Sequence, residues 1–166
     1  SSAASDVYKR QTMYDLAREE YAALGIDTEA VMEKLAAKPI SVHCWQGDDV
    51  VGLEGVGGGA SGGIATTGNY PGRARTFEEL TADFEAAMAL VPGAKRINLH
   101  ASYAVFTDEN PWVDRDVIEY KHFEPWVAWA KAHGYGIDFN PTIFGHPMMN
   151  NELSLSSPDA ATRDFW

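Results

Sequence analysis

Residues 40–72 read ISVHCWQGDDVVGLEGVGGGASGGIATTGNYPG. A short apolar run ends in His43, Cys44 and Trp45, two acids follow, and then nearly every second or third residue is glycine. Ten of the 15 glycines in the 166-residue chain lie between Gly47 and Gly72. Ile40–Trp45 has the length of a strand, and Pro39 separates it from a helical pattern upstream. The glycine-rich stretch is far too long for the tight turn of a dinucleotide fold, and it does not open a helix directly. This strand therefore belongs to another kind of α/β sheet.

Outward from it the chain alternates. Met13–Ala36 carries Leu16, Tyr21, Leu24, Val31, Met32 and Leu35 at helical spacing, with Gly25 as a break. Thr76 with Glu79 three residues on has the capping-box pattern, and Phe77, Leu80, Phe84, Met88 and Val91 follow on one face. Arg96–His100 is a second strand. Lys121–His133 predicts a helix with Pro125 in its first turn and Gly134 as its stop, and Gly136–Asn140 is a third strand.

Three strands separated by helices read as βαβ units with a parallel sheet. Each strand ends in polar or aromatic residues: His43, Cys44 and Trp45; His100, Ser102 and Tyr103; Asp138, Phe139 and Asn140. Barrels carry their chemistry at those C-terminal strand ends. The expected fold class is α/β, a (β/α)8 TIM barrel with about the first three βα units present.

The ends have their own readings. Residues 1–11, SSAASDVYKRQ, show no strand or helix periodicity and resemble a translated sequencing adaptor, so they are set aside as a non-native tail. Residues 12–166 are expected to be the N-terminal part of one barrel domain, with 46–75 as a loop after its first strand. Ser157 is the expected N-cap of a helix with Pro158 at its first position. That helix has barely begun at Trp166, which predicts a chain cut from a longer one.

Composition excludes some classes. The net charge of −11 argues against nucleic acid and anionic membrane surfaces. No apolar run is long enough to span a bilayer, and one cysteine, Cys44, forms no internal disulfide.

Specific residues then carry a resemblance. PISVHCWQGDDVVGLE, GGIATTGNYPGRARTFEEL, KRINLHASY, HFEPWVAWAK and GIDFNPTIFGHP, in this order and spacing, resemble the N-terminal part of L-rhamnose isomerases. The resemblance implies a barrel that interconverts L-rhamnose and L-rhamnulose by a hydride shift between C1 and C2. It implies a divalent metal, typically manganese, held by acids and histidines beyond residue 166, and so no metal ligand and no catalytic residue in this chain. It also implies a cytoplasmic homo-oligomer, typically a tetramer. The alternatives are an isomerase of another sugar on the same barrel, or a sugar-binding barrel without catalysis.

Within that frame Trp45, His100, His43 and Phe144 are the candidate walls of the sugar pocket. Trp45 offers a flat face to sugar C–H groups. His43 with Asp48 and Asp49 fits no recognised metal spacing. Residues 46–75 are read as a lid, with Gln46, Asp48, Asp49, Leu53, Ile64 and Tyr70 as its named members. Cys44 reads as a buried thiol, His122 and His133 as surface residues, and His146 as a residue of a strand-to-helix loop, with contact to the site as the lesser reading. The stretch GVGGGAS after Glu54, the long aromatic loop from Ser102 to Asp116, and Ser157 in place of a histidine depart from the family pattern.

Overall fold

The computed structural model describes residues 2–48, 50–55 and 74–166, with backbone alone for 2–11 and 46. Two compact units emerge, Ser1–Pro39 and Ile40–Trp166.

The first unit is a helical hairpin of α1 (Ser2–Ala23) and α2 (Thr28–Ala36). Gly25 takes φ +79° at the break, as the sequence predicts. Asp27 caps α2 by accepting from Ala30 N at 3.1 Å. The Tyr14 hydroxyl donates to Glu29 across the hairpin at 2.6 Å. Helix α1 begins at Ser2 rather than near Met13. Residues 2–11 lack an apolar face, so periodicity could not report a helix that needs only backbone bonds and tolerant residues such as Ala, Lys, Arg and Gln. Leu16, Leu24, Val31 and Leu35, expected as the apolar face, are exposed.

The second unit holds β1 (Ile40–His43), β2 (Lys95–His100) and β3 (Gly136–Asn140), parallel and in the order β1-β2-β3. Ile40 pairs with Lys95, and Arg96 with Gly136. Parallel neighbours need a crossover, supplied by α3 (Phe77–Leu90) and α4 (Glu124–His133). Leu80, Phe84 and Met88 of α3 and Trp126 of α4 close a core with Ile97 and Leu99 of β2. Side chains alternate along a strand, so the opposite face carries Ser41 and His43, then Arg96, Asn98 and His100, then Asp138 and Asn140. That face is polar from edge to edge. Arg96 Nε donates to both Asp138 oxygens at 3.0 and 2.9 Å, and this guanidinium holds the carboxyl down at about 2. The architecture is mixed α/β around a three-stranded parallel sheet.

Several boundaries differ from the sequence expectation. Strand β1 stops at His43, two residues early, because Cys44–Gly47 winds into a 3-10 turn. Helix α4 starts at Glu124, after a separate 3-10 turn over Tyr120–Phe123; Pro125 does sit in its first turn, and Gly134 stops it at φ +70°. The last helix, α5 (Ala160–Phe165), is capped by Asp159, which accepts from Thr162 N at 2.9 Å. Ser157, the expected cap, accepts from Asp159 N instead. His122, expected on the surface, is fully buried: its Nδ1 accepts from Glu119 N at 3.0 Å, which folds the ring inward against Phe106. Among the described residues no helix is long and apolar enough to cross a membrane.

Candidate functional site

The four candidate wall residues meet at the C-terminal end of the sheet. Trp45 lies 5.3 Å from His43, stacked, and 4.3 Å from His100, ring centre to ring centre. Phe144 meets Trp45 edge-on at 6.5 Å and His100 at 6.3 Å. The ends of β1 and β2 and the segments after β1 and β3 thus build one aromatic cluster. His43 is exposed, Trp45 and Phe144 are half-buried, and His100 is fully buried.

His100 is the chemically informative member. Burial disfavours its charged form and, with smaller contributions from His43 and Arg115, brings its pKa down to about 4. It is therefore neutral at neutral pH, and its tautomer follows from hydrogen-bond accounting. Thr142 Oγ1 lies 3.1 Å from His100 Nδ1, accepts from Ala101 N at 2.8 Å and reaches Asn140 O at 3.0 Å. A hydroxyl has one proton and two lone pairs. Donating that proton to Asn140 O leaves both lone pairs for Ala101 N–H and His100 Nδ1–H, so every group around this hydroxyl is satisfied. The alternative strands Asn140 O and leaves a buried Nε2–H donor with no acceptor, which costs more. Nδ1 therefore carries the proton. Nε2 is then a lone pair, buried and without a partner among the described residues.

Thr142 holds this position at a backbone cost. Its φ is +55°, an outlier for a β-branched residue. Three bonds over-determine it: Thr142 N donates to Asn140 Oδ1 at 2.8 Å, Arg115 Nη1 donates to Thr142 O at 2.6 Å, and the hydroxyl is engaged as above.

The loop after β1 is anchored at its start. Asp48 is buried; Oδ1 accepts from the Tyr103 hydroxyl at 2.6 Å and from Val50 N at 3.2 Å, and Oδ2 accepts from Gly52 N at 2.7 Å. Burial raises the Asp48 pKa and also pushes the Cys44 thiol and the Tyr103 phenol well above their ordinary values. Cys44 is a buried thiol held un-ionised, as expected, which disqualifies it as a nucleophile. Gly52, at φ +80°, lets the backbone approach Ser102 O, where a Cβ would come to 2.6 Å. Leu53 N then donates to Ser102 O at 2.7 Å. Of the six residues expected in a lid, Asp48 and Leu53 are thus bonded to the turn after β2, Ala101–Tyr103. Asp49, Ile64 and Tyr70 lie outside the described residues, as does the side chain of Gln46.

His146 is buried and donates from Nε2 to Asp114 Oδ1 at 2.8 Å, because its Nδ1 already accepts from Met148 N. It holds Asp114, packs against Phe165 and Trp166, and lies outside the aromatic cluster. His133 is exposed and bonded to Trp129 O and Glu85. Glu54, Arg115 and Thr142 were missed by sequence reasoning. Glu54 and Arg115 stand 61 residues apart, and no local pattern pairs them.

A model of the family L-rhamnose isomerase (RhaA) matches residues 8–166. The chain belongs to the L-rhamnose isomerase family. It is 53% identical over 156 residues to an L-rhamnose isomerase of Mannheimia succiniciproducens and 51% identical to one of Pectobacterium carotovorum. In both cases 94% of this chain and 36% of the relative are covered. A Salmonella paratyphi B L-rhamnose isomerase is 50% identical over 153 residues. The chain spans about a third of the length of these relatives. Among its described residues no three His, Cys, Asp or Glu side chains stand together so that they could hold a metal ion.

Proposed function

We propose that this chain forms the sugar-facing wall of an L-rhamnose isomerase, within a protein that interconverts L-rhamnose and L-rhamnulose. The observation that carries the proposal is the convergence of His43, Trp45, His100 and Phe144 at the C-terminal strand ends of a chain in this family. The three parallel βα units are read as the opening of a (β/α)8 barrel, whose chemistry gathers at that end.

The described residues do not fit a metal site. We assign the divalent metal, manganese in our reading, to residues outside this chain. This chain's contribution is binding and orientation. The faces of Trp45 and Phe144 suit the C–H surface of a deoxysugar. His100 Nε2, an acceptor only, suits a sugar hydroxyl. That atom is closed off from solvent, so the contact requires the surrounding rings to part. The glycine-rich stretch from 46 to 75 is read as the cover that excludes water, on its sequence alone. A cytoplasmic tetramer is the assembly in which we expect the full-length protein to work.

The test uses the full-length protein with L-rhamnose and manganese, following ketose formation. Turnover of L-rhamnose in preference to other aldoses is expected, with KM raised by Trp45→Ala. Absence of turnover on any aldose would remove the proposal.

A further inference from the structure

The side chain of Arg115 is the only described group that bonds to both the loop after β1 and the loop after β3 while itself lying in the loop after β2. Its side chain and that of Glu54 are each 5% exposed. Nη2 meets Glu54 Oε1, and Nε donates to Oε2 at 3.1 Å. Nη1 donates to two main-chain carbonyls, Thr142 O and Phe144 O, each at 2.6 Å. The backbone of Arg115 is fixed in turn: its N–H donates to Asp114 Oδ1 at 2.8 Å, and His146 holds that carboxylate. Glu54 is fixed as well, by Ser102 O accepting from its N–H and by Trp112 Nε1 donating to its carbonyl at 2.8 Å.

The two carbonyls belong to residues that matter for the site. Phe144 is a wall residue. Thr142 is the strained residue whose hydroxyl sets the His100 tautomer. A left-handed β-branched residue persists only where its surroundings over-determine it, and Arg115 supplies one of its three restraints. A planar, multidentate guanidinium suits this task better than an ammonium, because one rigid group can serve a carboxylate and two carbonyls together.

We propose that Arg115 is a positioning residue for the sugar site: by gripping Glu54 and the carbonyls of Thr142 and Phe144, it holds Thr142 so that His100 presents Nε2 as a bare acceptor beside Trp45 and Phe144. The catalytic consequence rests on the function proposed above; the tautomer consequence does not.

The experiment uses the full-length protein carrying Arg115→Ala, with Arg115→Lys as the second variant. Nitrogen-15 NMR of the His100 ring reads the tautomer directly and needs no turnover. The unsubstituted protein should show a protonated Nδ1 and an unprotonated Nε2. Arg115→Ala should give mixed tautomers and a kcat lowered about 100-fold, the scale of a group displaced by about 1 Å. Dilute guanidinium chloride should recover part of both. Arg115→Lys keeps a cation beside Glu54, so the buried charge stays paired and the fold is retained. It cannot serve both carbonyls, and the single tautomer should again be lost. A merely structural Arg115 would give variants with lower melting temperatures whose folded molecules keep the single tautomer and the kcat, and that result overturns the proposal. If the unsubstituted protein turns over no aldose, the function proposed above fails, while the tautomer result still decides the role of Arg115.

Discussion

Thr142 Oγ1 stands 3.1 Å from Nδ1 of His100, a residue 42 positions earlier, and this contact decides which ring nitrogen bears the proton. The same hydroxyl satisfies the buried amide of Ala101 and the carbonyl of Asn140. One side chain thus settles both the tautomer of the site histidine and the hydrogen bonds of the strand ends around it.

Replacing that hydroxyl should be costly out of proportion to its size. Thr142→Val leaves Ala101 N–H buried without an acceptor and should lower unfolding stability by about 1–3 kcal/mol in urea titration. It should also release the His100 tautomer. A variant with unchanged stability and a single Nδ1–H signal would contradict the accounting.

The pKa of His100 sets a pH signature. Its folded value, about 4, lies below its ordinary value, so the unfolded chain binds the extra proton first. The stability His100 contributes is complete above about pH 6.5 and is lost as pH falls through 4. Equilibrium unfolding across that range, with and without His100→Gln, should show a slope that the substitution removes.

The Glu54–Arg115 pair should be sensitive to losing one partner. Glu54→Ala leaves a guanidinium buried and unpaired, with an expected loss of about 3–5 kcal/mol. The double variant Glu54→Leu with Arg115→Met removes both charges and should be less destabilised than Glu54→Ala alone. Thermal unfolding of the two variants compares them directly, and equal losses would argue against a buried charge as the cause.

Asp48 tests the anchor of the loop after β1. In Asp48→Asn one oxygen can still accept from Tyr103 and Val50, but the new amide faces Gly52 N–H, donor against donor. A cost of about 1–3 kcal/mol is expected from that unsatisfied N–H. Faster hydrogen exchange confined to Gly52 would locate it, and unchanged protection there would count against the anchor.

Much of the fold was legible because local patterns carried it. The apolar spacing of Leu80, Phe84 and Met88 announces a helix, Gly134 announces its neighbour's end, and Ile40, Ile97 and Ile137 sit in strand-length runs between breakers. Boundaries were less legible where capping groups competed. Ser157 and Asp159 are both good caps, and only the position of Thr162 N chooses Asp159. His122 reads as a surface residue from its place at the start of a helix; a turn preceding α4 swings it inward.

The sequence by itself determined the βα alternation, the family, and which residues stand at the strand ends, since each of these depends on near neighbours along the chain. Only the tertiary structure decided that His43, Trp45, His100 and Phe144 form one cluster, and that Thr142 and Arg115 govern it. The contacts between different strand ends join residues about 30 to 100 positions apart. Parallel register brings them together, and a burial-driven pKa or a buried ion pair exists only after the chain has closed around it.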